Sequence, residues 1–164
     1  MIGSNFSVHF AAMPAFLYEE SVSYRRHLIV PWIAMDNIEH PRYSYRLLSE
    51  FGHQGQFHQA ENPDGYYAPQ IEQVICAAKQ HLDSYVIGLS LADFYPMDYF
   101  RDREVYRHNL IILHQMGDRF FYDHYPPNRL ENIAAPKMFA SAADCLSWVK
   151  QGLDRHAAAI TDDR

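Results

Sequence analysis

The sequence has only two cysteines, no long apolar run and no cluster of basic residues, and each absence excludes a class of protein. Cys76 and Cys145 show no Cys-x-x-Cys spacing, which argues against a zinc site, so we expect two buried free thiols rather than a disulfide. No stretch approaches the roughly 18 apolar residues of a membrane span. The chain begins without the basic and apolar pattern of a signal peptide, so we expect a cytoplasmic protein that does not bind membranes.

Charge and glycine usage exclude further functions. The net charge is −6 and the 14 basic residues are scattered, whereas nucleic-acid binding depends on clustered Lys and Arg. The seven glycines are dispersed, and neither a phosphate-binding loop nor a Gly-x-Ser-x-Gly nucleophile motif is present. We therefore predict no nucleic-acid partner, no cofactor and no nucleophilic catalysis.

Aromatic residues, by contrast, are abundant. The chain contains 12 Tyr, 10 Phe and 2 Trp, which is more than packing alone requires. At 164 residues it fits one domain, residues 1–164, and we expect the polar tail at 161–164 to be frayed.

Strands are predicted where apolar and polar residues alternate or where a β-rich apolar run lies between turn residues. Pro31 indicates that the strand 27–34 is an edge strand or a bulged strand, because proline has no N–H to donate to a central ladder. The predicted strands are 6–10, 27–34, 43–51, 56–61, 85–91, 109–114, 119–125 and 137–139.

Two helices have a clear apolar stripe. One spans 71–85, and Ser141 caps the other, in which Ala142, Leu146, Val149 and Leu153 share a face. A third helix beginning near Pro14 has irregular apolar spacing. The fold class is therefore α+β, with one mainly antiparallel sheet of about five to seven strands and two or three helices packed on it.

The two halves of the chain follow the same order of elements. Each runs as a strand hairpin and then a helix, with Arg26-His27-Leu28-Ile29 near the start of one and Arg107-His108-Asn109-Leu110-Ile111 near the start of the other. Identity between the halves is too low to establish a duplication. Helices packed on one face of an antiparallel sheet would produce the same order.

The densest group of potential metal ligands is His53, His58 and Glu61. If Gln54-Gly55 is a two-residue hairpin turn, both histidines emerge on one face as diagonal neighbours. The spacing matches no established zinc motif, and a further ligand would have to come from elsewhere in the fold. Hydrogen bonding of these polar residues near a loop is the alternative interpretation.

In the second hairpin the length of the turn decides which side chains meet. A two-residue Gly117-Asp118 turn places His114 on one face with Phe121 and Asp123, and His124 on the opposite face. A three-residue turn places His114 with His124 instead. Contacts between Asp and His on a strand most often stabilise the sheet.

The aromatic excess leads to the favoured function, although ring packing between sheet and helices is an alternative. We predict a small non-catalytic binding or regulatory module, acting as a homo-oligomer, that presents an aromatic-lined pocket or interface to a small apolar ligand or a protein partner. One alternative is a metal-dependent or general acid–base enzyme built on His53, His58 and Glu61. Another is an adaptor whose exposed acidic aromatic segment, 93–106, binds a partner. The predicted ligand-binding residues are Tyr66, Tyr67, Phe94, Tyr95, Tyr99, Phe120, Tyr122 and Tyr125.

Overall fold

In a computed structural model, the structure describes residues 16–35, 40–49, 60–61, 65–85 and 98–162. The predicted strand at 6–10, the turn at Gln54-Gly55 and residues 86–91 of the predicted strand 85–91 lie outside these ranges. Tyr85, the first residue of that predicted strand, instead ends a helix.

The described residues of the first half form a short 3-10 helix, four strands and one α-helix. In the predicted helix, the apolar residues 71, 74, 75, 78 and 82 form the expected stripe. The elements are the 3-10 helix Tyr18–Glu20, β1 Val22–Tyr24, β2 His27–Met35, β3 Arg42–Ser49, β4 Ala60–Glu61 and α1 Ile71–Tyr85.

The second half contains three strands and one long helix. The predicted hairpin is confirmed, and the two residues Gly117-Asp118 join its two strands. Ser141 caps the helix as predicted, because its Oγ accepts a hydrogen bond from the Asp144 backbone N–H at 3.1 Å. The elements are β5 Arg103–Tyr106, β6 Asn109–Met116, β7 Arg119–Tyr125 and α2 Ala142–Asp162.

The α+β class is confirmed, but the prediction of one sheet of five to seven strands is wrong. The strands form two antiparallel sheets, ordered β1-β2-β3-β4 and β5-β6-β7. Strand β2 buries the consecutive residues Leu28, Ile29 and Val30, so both of its faces are covered. One face packs on a helix and the other on the opposite sheet.

Three apolar cores therefore lie between four layers, in the order α1, first sheet, second sheet, α2. The first-sheet core against α1 includes Ile29, Tyr45, Val74 and Ala78. The second-sheet core against α2 includes Ile111, Tyr122, Cys145 and Val149. The core between the sheets contains Phe16, Tyr18, Leu28, Val30, Leu48, Phe100, Leu110, Ile112, Tyr125 and Leu130.

The two halves are structural repeats with the same strand register. Tyr24 pairs with His27 at the β1–β2 turn, and Tyr106 pairs with Asn109 at the β5–β6 turn. Both turns consist of two residues with positive φ, Arg25-Arg26 and Arg107-His108, as expected of a type I′ hairpin. We refer to β1, β2, β3 and α1 as the first repeat and to β5, β6, β7 and α2 as the second.

In each repeat, the segment that leads into the helix is attached to the sheet in the same way. Tyr43 of β3 forms a bridge with Ala68, three residues before α1, and Phe120 of β7 forms the same bridge with Phe139, three residues before α2. From these registers Lys79-Gln80-His81-Leu82-Asp83 corresponds to Lys150-Gln151-Gly152-Leu153-Asp154. The registers shared by β1–β2 with β5–β6, by β2–β3 with β6–β7 and by the two helix connections support the interpretation of the repeats as an internal duplication. Strand β4 has no counterpart among the described residues of the second half.

Near the start of the described chain, one prediction is wrong and another, that the strand containing Pro31 is an edge or a bulged strand, is confirmed only for the bulge. The possible helix at 14–28 is replaced by the 3-10 helix, β1 and the first turn, because its apolar residues form no continuous stripe. Strand β2 is not an edge strand, although a bulge does lie between Ile33 and Met35. Pro31 is tolerated because its carbonyl accepts from the Leu17 N–H at 2.8 Å, so its own nitrogen also faces residue 17 and not β3.

Three further predictions are corrected. Cys145 is buried, but Cys76 is exposed, because it lies two residues from Val74 and therefore on the opposite face of α1. In the described part of the segment 93–106, Asp98, Arg101 and Asp102 are exposed, but Phe100 is only 1% exposed and Arg103–Tyr106 form β5, so this part is not exposed throughout. The predicted strand at 137–139 is reduced to the single bridge of Phe139.

Candidate functional site

A groove of about 890 Å³ lies in the second repeat, between β7, the loop that follows it and the middle of α2. This volume falls within the range of pockets that hold small molecules. Its lining residues are Asn109, Tyr122, His124, Pro126, Pro127, Asn128, Arg129, Ile133, Ala135, Trp148, Val149, Gly152, Leu153, Arg155 and His156.

The duplication shows how this groove differs from the first repeat. Ile29 pairs with Leu47 across β2 and β3, and Ile111 pairs with His124 across β6 and β7, so His124 occupies the place of a buried leucine. On the helix, Gly152 occupies the place of His81. A smaller helix residue and a polar strand residue therefore face the groove in the second repeat.

Aromatic rings form one side of the groove. The Tyr122 and Trp148 ring centroids lie 6.1 Å apart, and Phe139 lies 5.7 Å from Trp148 behind them. The Tyr122 hydroxyl accepts a hydrogen bond from the Ala135 N–H at 3.1 Å, which holds the loop against β7. The Lys137 ammonium lies 4.6 Å from the centroid of Trp148, a cation–π distance.

His124 and Asn109 form a polar pair at the base of the groove. His124 Nε2 lies 2.8 Å from Asn109 Oδ1, and Asn109 Nδ2 donates to the Arg107 carbonyl at 2.7 Å. Burial lowers the pKa of His124 below its usual value. The imidazole is therefore neutral at pH 7.

A hydrogen-bonded chain supports the loop that forms the outer wall. Asn132 Oδ1 accepts from the backbone N–H groups of His124 and Ala134 at 2.9 and 3.0 Å, and its Nδ2 donates to Asp123 Oδ1 at 2.7 Å. The other Asp123 oxygen lies 2.8 Å from His114 Nε2. The side chains of Asp123 and His114 are only 6% and 7% exposed. This series of hydrogen bonds is therefore buried and supports the loop from below.

The charged residues that line the groove are two arginines, although the protein as a whole is acidic. Among the described residues that line it, none is Asp or Glu, whereas Arg129, Arg155 and His156 are present. Arg129 lies 3.6 Å from Glu131, with both side chains largely exposed, so solvent weakens that ion pair. The groove therefore combines an apolar body with a cationic rim.

No protein family, no characterised protein and no solved structure matches this chain. The described residues include no helix with the length and apolar character needed to cross a membrane.

The predicted aromatic residues are distributed over several parts of the structure. Tyr66 and Tyr67 are exposed before α1, and Tyr122 lines the groove. Phe120 packs beside the groove on the α2 side of β7. Phe94 and Tyr95 lie outside the described residues. Tyr99 and Tyr125 both contribute to the core between the sheets.

Tyr99 also contacts the buried support of the loop. Its hydroxyl lies 3.1 Å from His114 Nε2, and the two rings lie 4.7 Å apart. Burial, and secondly the nearby Asp123 carboxylate, raise the pKa of Tyr99. The phenol is therefore protonated over the physiological range.

Two of the three residues of the candidate metal site are not among the described residues. His53 and His58 lie outside the described residues, and Glu61 is placed only as a backbone position in β4. Arg46 pairs with Glu61. A continuous hairpin with a two-residue Gln54-Gly55 turn would give a pairing shifted by two residues from this one. The residues that the structure describes contain no group of three potential metal ligands.

The second hairpin resolves the alternatives that the sequence left open. Met116 pairs with Arg119, so the turn has two residues, and His114 shares a face with Asp123 while His124 lies on the other face. The sequence did not single out Trp148, Gly152 or Asn132. An alignment of the two halves on their Lys-Gln-x-Leu-Asp segments would have shown Gly152 as a departure between the repeats.

Proposed function

We propose that this protein is a small-molecule binding module whose groove in the second repeat takes a small amphipathic anion. The apolar body of the ligand would lie against Tyr122 and Trp148, and its carboxylate or other acidic group would meet Arg129 or Arg155. This narrows the predicted apolar ligand to one that also carries a negative charge.

The observation that carries the proposal is Gly152 in α2. A helix-interior glycine costs about 1 kcal/mol relative to alanine, so it usually has a packing or functional reason. A β-carbon at this position would meet, apart from the helix backbone, a single atom of the described residues, Arg155 Nη2 at 3.9 Å. Packing therefore does not require the glycine, and the absence of a large side chain at this position, where the first repeat carries His81, leaves this part of α2 open to the groove.

The charge of the lining supports an anionic ligand. The protein carries a net charge of −6, yet the lining has two arginines and no carboxylate among the described residues. Complementary charge adds both affinity and specificity when part of the site excludes water. A neutral or cationic ligand would gain no favourable charge interaction with these arginines.

The composition of the lining favours binding over catalysis. The groove residues that the structure describes include no Ser, Thr, Cys, Asp or Glu, and thus no serine, threonine or cysteine nucleophile and no carboxylate base. The His124 Nε2 atom is already engaged by Asn109. We therefore retain the non-catalytic module as the proposed class.

The tryptophans allow a direct test with naphthoate, an aromatic carboxylate, as the probe. Trp148 lines the groove and Trp32 lies in the first repeat, and the chain contains only these two. We expect naphthoate to quench the emission of the Trp32→Phe variant, which retains Trp148, and to leave the Trp148→Phe variant unaffected. Equal quenching of both variants would contradict binding in the groove.

Filling the groove gives the matched control. Gly152→Phe projects a ring into the open space, and we expect it to reduce naphthoate affinity at least tenfold while the circular dichroism spectrum stays unchanged. Gly152→Ala is the control and should bind as the wild type does. If Gly152→Phe binds naphthoate normally, the ligand site is elsewhere.

The cationic rim is tested separately. Arg155→Gln should weaken naphthoate binding severalfold and reduce its dependence on salt, since it removes a charge from the lining. Arg119→Gln is the control, because Arg119 is an exposed residue of β7 outside the lining. Equal effects of the two variants would contradict a specific role for Arg155.

Self-association stays a prediction of the aromatic excess. Tyr66 and Tyr67 are 39% and 43% exposed, and among the predicted site residues that the structure describes they are the large exposed rings that a second copy could cover. Light scattering of the wild type and of a Tyr66→Ser/Tyr67→Ser variant tests this. A monomeric wild type would contradict it.

A further inference from the structure

We infer that His124 selects ligands that carry a hydroxyl or N–H donor, by presenting Nδ1 as a hydrogen-bond acceptor at the base of the groove. This inference rests on the proposed function and specifies its ligand further. The preferred ligand would be an amphipathic anion with a donor group on its apolar body.

The hydrogen bonds of Asn109 determine the tautomer of His124. The Arg107 carbonyl can only accept, so the Asn109 atom 2.7 Å from it must be the donating Nδ2. Asn109 Oδ1 then faces His124 Nε2 at 2.8 Å, and because Oδ1 can only accept, Nε2 must carry the hydrogen. In a neutral imidazole, Nδ1 is then left with a lone pair.

Three observations support the assignment of this Nδ1 lone pair as an acceptor for a ligand. Burial lowers the pKa of His124, so the ring stays neutral at pH 7. The described residues supply no hydrogen-bond partner for Nδ1, and His124 lines the groove. The other polar side chains of the lining, such as Arg129 and Arg155, are mainly donors, so an acceptor here adds a distinct preference.

The first repeat shows that folding does not require this polar pair. Leu47 occupies the place of His124, and His27 occupies that of Asn109. Leu47 is 1% exposed in a fully apolar core. Where the first repeat has this core leucine, the second repeat has a polar pair beside the groove, as expected of a residue that determines specificity.

Paired naphthoates test the inference. A panel of hydroxynaphthoates is compared with the corresponding methoxynaphthoates, which have a similar body and the same charge but no donor. We expect at least one hydroxynaphthoate to bind the wild type about three- to tenfold more tightly than its methoxy counterpart, the factor of one net hydrogen bond. His124→Leu, which restores the residue type of the first repeat, should abolish that difference, and His156→Leu should retain it.

The outcomes separate the two proposals. If no naphthoate binds the wild type, the proposed function fails and this inference fails with it. If naphthoates bind but the hydroxyl gives no advantage, or if His124→Leu keeps the advantage, the groove stands and the role of His124 is overturned. Nitrogen NMR of histidine-labelled wild type gives a test without a variant, because a hydrogen on Nδ1 in place of Nε2 would also overturn it.

Discussion

The Tyr106 hydroxyl donates a hydrogen bond to the Asp154 carboxylate at 2.9 Å and thereby joins the β5–β6 turn to α2. In the first repeat the Tyr24 hydroxyl donates to Asp83 at 2.8 Å in the same way. An arginine of each turn pairs with the same carboxylate, and a lysine of each helix lies over the same tyrosine ring. The cluster is thus a repeated link between hairpin and helix.

Removing either hydroxyl should have the same effect. We expect Tyr24→Phe and Tyr106→Phe each to lower the thermal midpoint, by similar amounts, since each removes one hydrogen bond to a carboxylate in equivalent surroundings. The double variant should show the sum of the two shifts, because the clusters share no residues. Calorimetry measures this, and a strongly unequal pair would contradict the equivalence of the repeats.

The same cluster predicts a dependence on acid pH. Hydrogen bonds from Arg107 and then from Tyr106 lower the pKa of Asp154. The contribution of this carboxylate to stability is therefore full above its unfolded pKa of about 3.9 and is lost as pH falls through the lower folded pKa. In denaturant titrations the stability difference between Tyr106→Phe and wild type should shrink as the pH is lowered below about 4.

The lowered pKa of His124 predicts a second pH dependence of stability, at higher pH than that of Asp154. Because its folded pKa is lowered by burial, the unfolded chain binds more protons at His124 once the pH falls below about 6.5, and folding stability decreases. We expect His124→Leu to lose less stability than the wild type between about pH 7 and pH 5. A slope equal to that of the wild type would show that His124 is not protected from protonation.

Asn132 should be the most sensitive polar residue of the loop. Asn132→Ala removes the donor to buried Asp123 and the acceptor for two backbone N–H groups, so we expect a loss of about 1–3 kcal/mol in unfolding free energy. Asn128→Ala, from the same loop and also in the lining, should change stability by less than about 0.5 kcal/mol. Chemical denaturation of both variants provides the comparison.

The two thiols should react at very different rates. Cys76 is exposed, whereas Cys145 is buried, and burial raises the pKa of its thiol to about 11. A thiol reagent should modify Cys76 rapidly in the native protein and Cys145 only after denaturation. Rapid labelling of Cys145 in the Cys76→Ser variant would contradict the packing of α2 on its sheet.

The sequence predicted the elements better than their arrangement. The stripes of α1 and α2 and the β6–β7 hairpin follow from local periodicity, which one chain segment displays by itself. Whether strands form one sheet or two depends on contacts between distant segments, although the run Leu28, Ile29 and Val30, buried on both faces, was a local sign of a covered second face. The groove depends on Gly152 and Trp148, whose significance appears only when the repeats are compared.

The strand orders β1-β2-β3-β4 and β5-β6-β7 have a kinetic consequence. Each described sheet joins strands that are neighbours along the chain, so its hairpins close short loops and should form early in folding. The packing of Leu28 and Val30 against Leu110 and Ile112 joins segments far apart in sequence and should complete last. Mutations between the sheets should therefore mainly accelerate unfolding, and mutations in the hairpins should mainly slow folding.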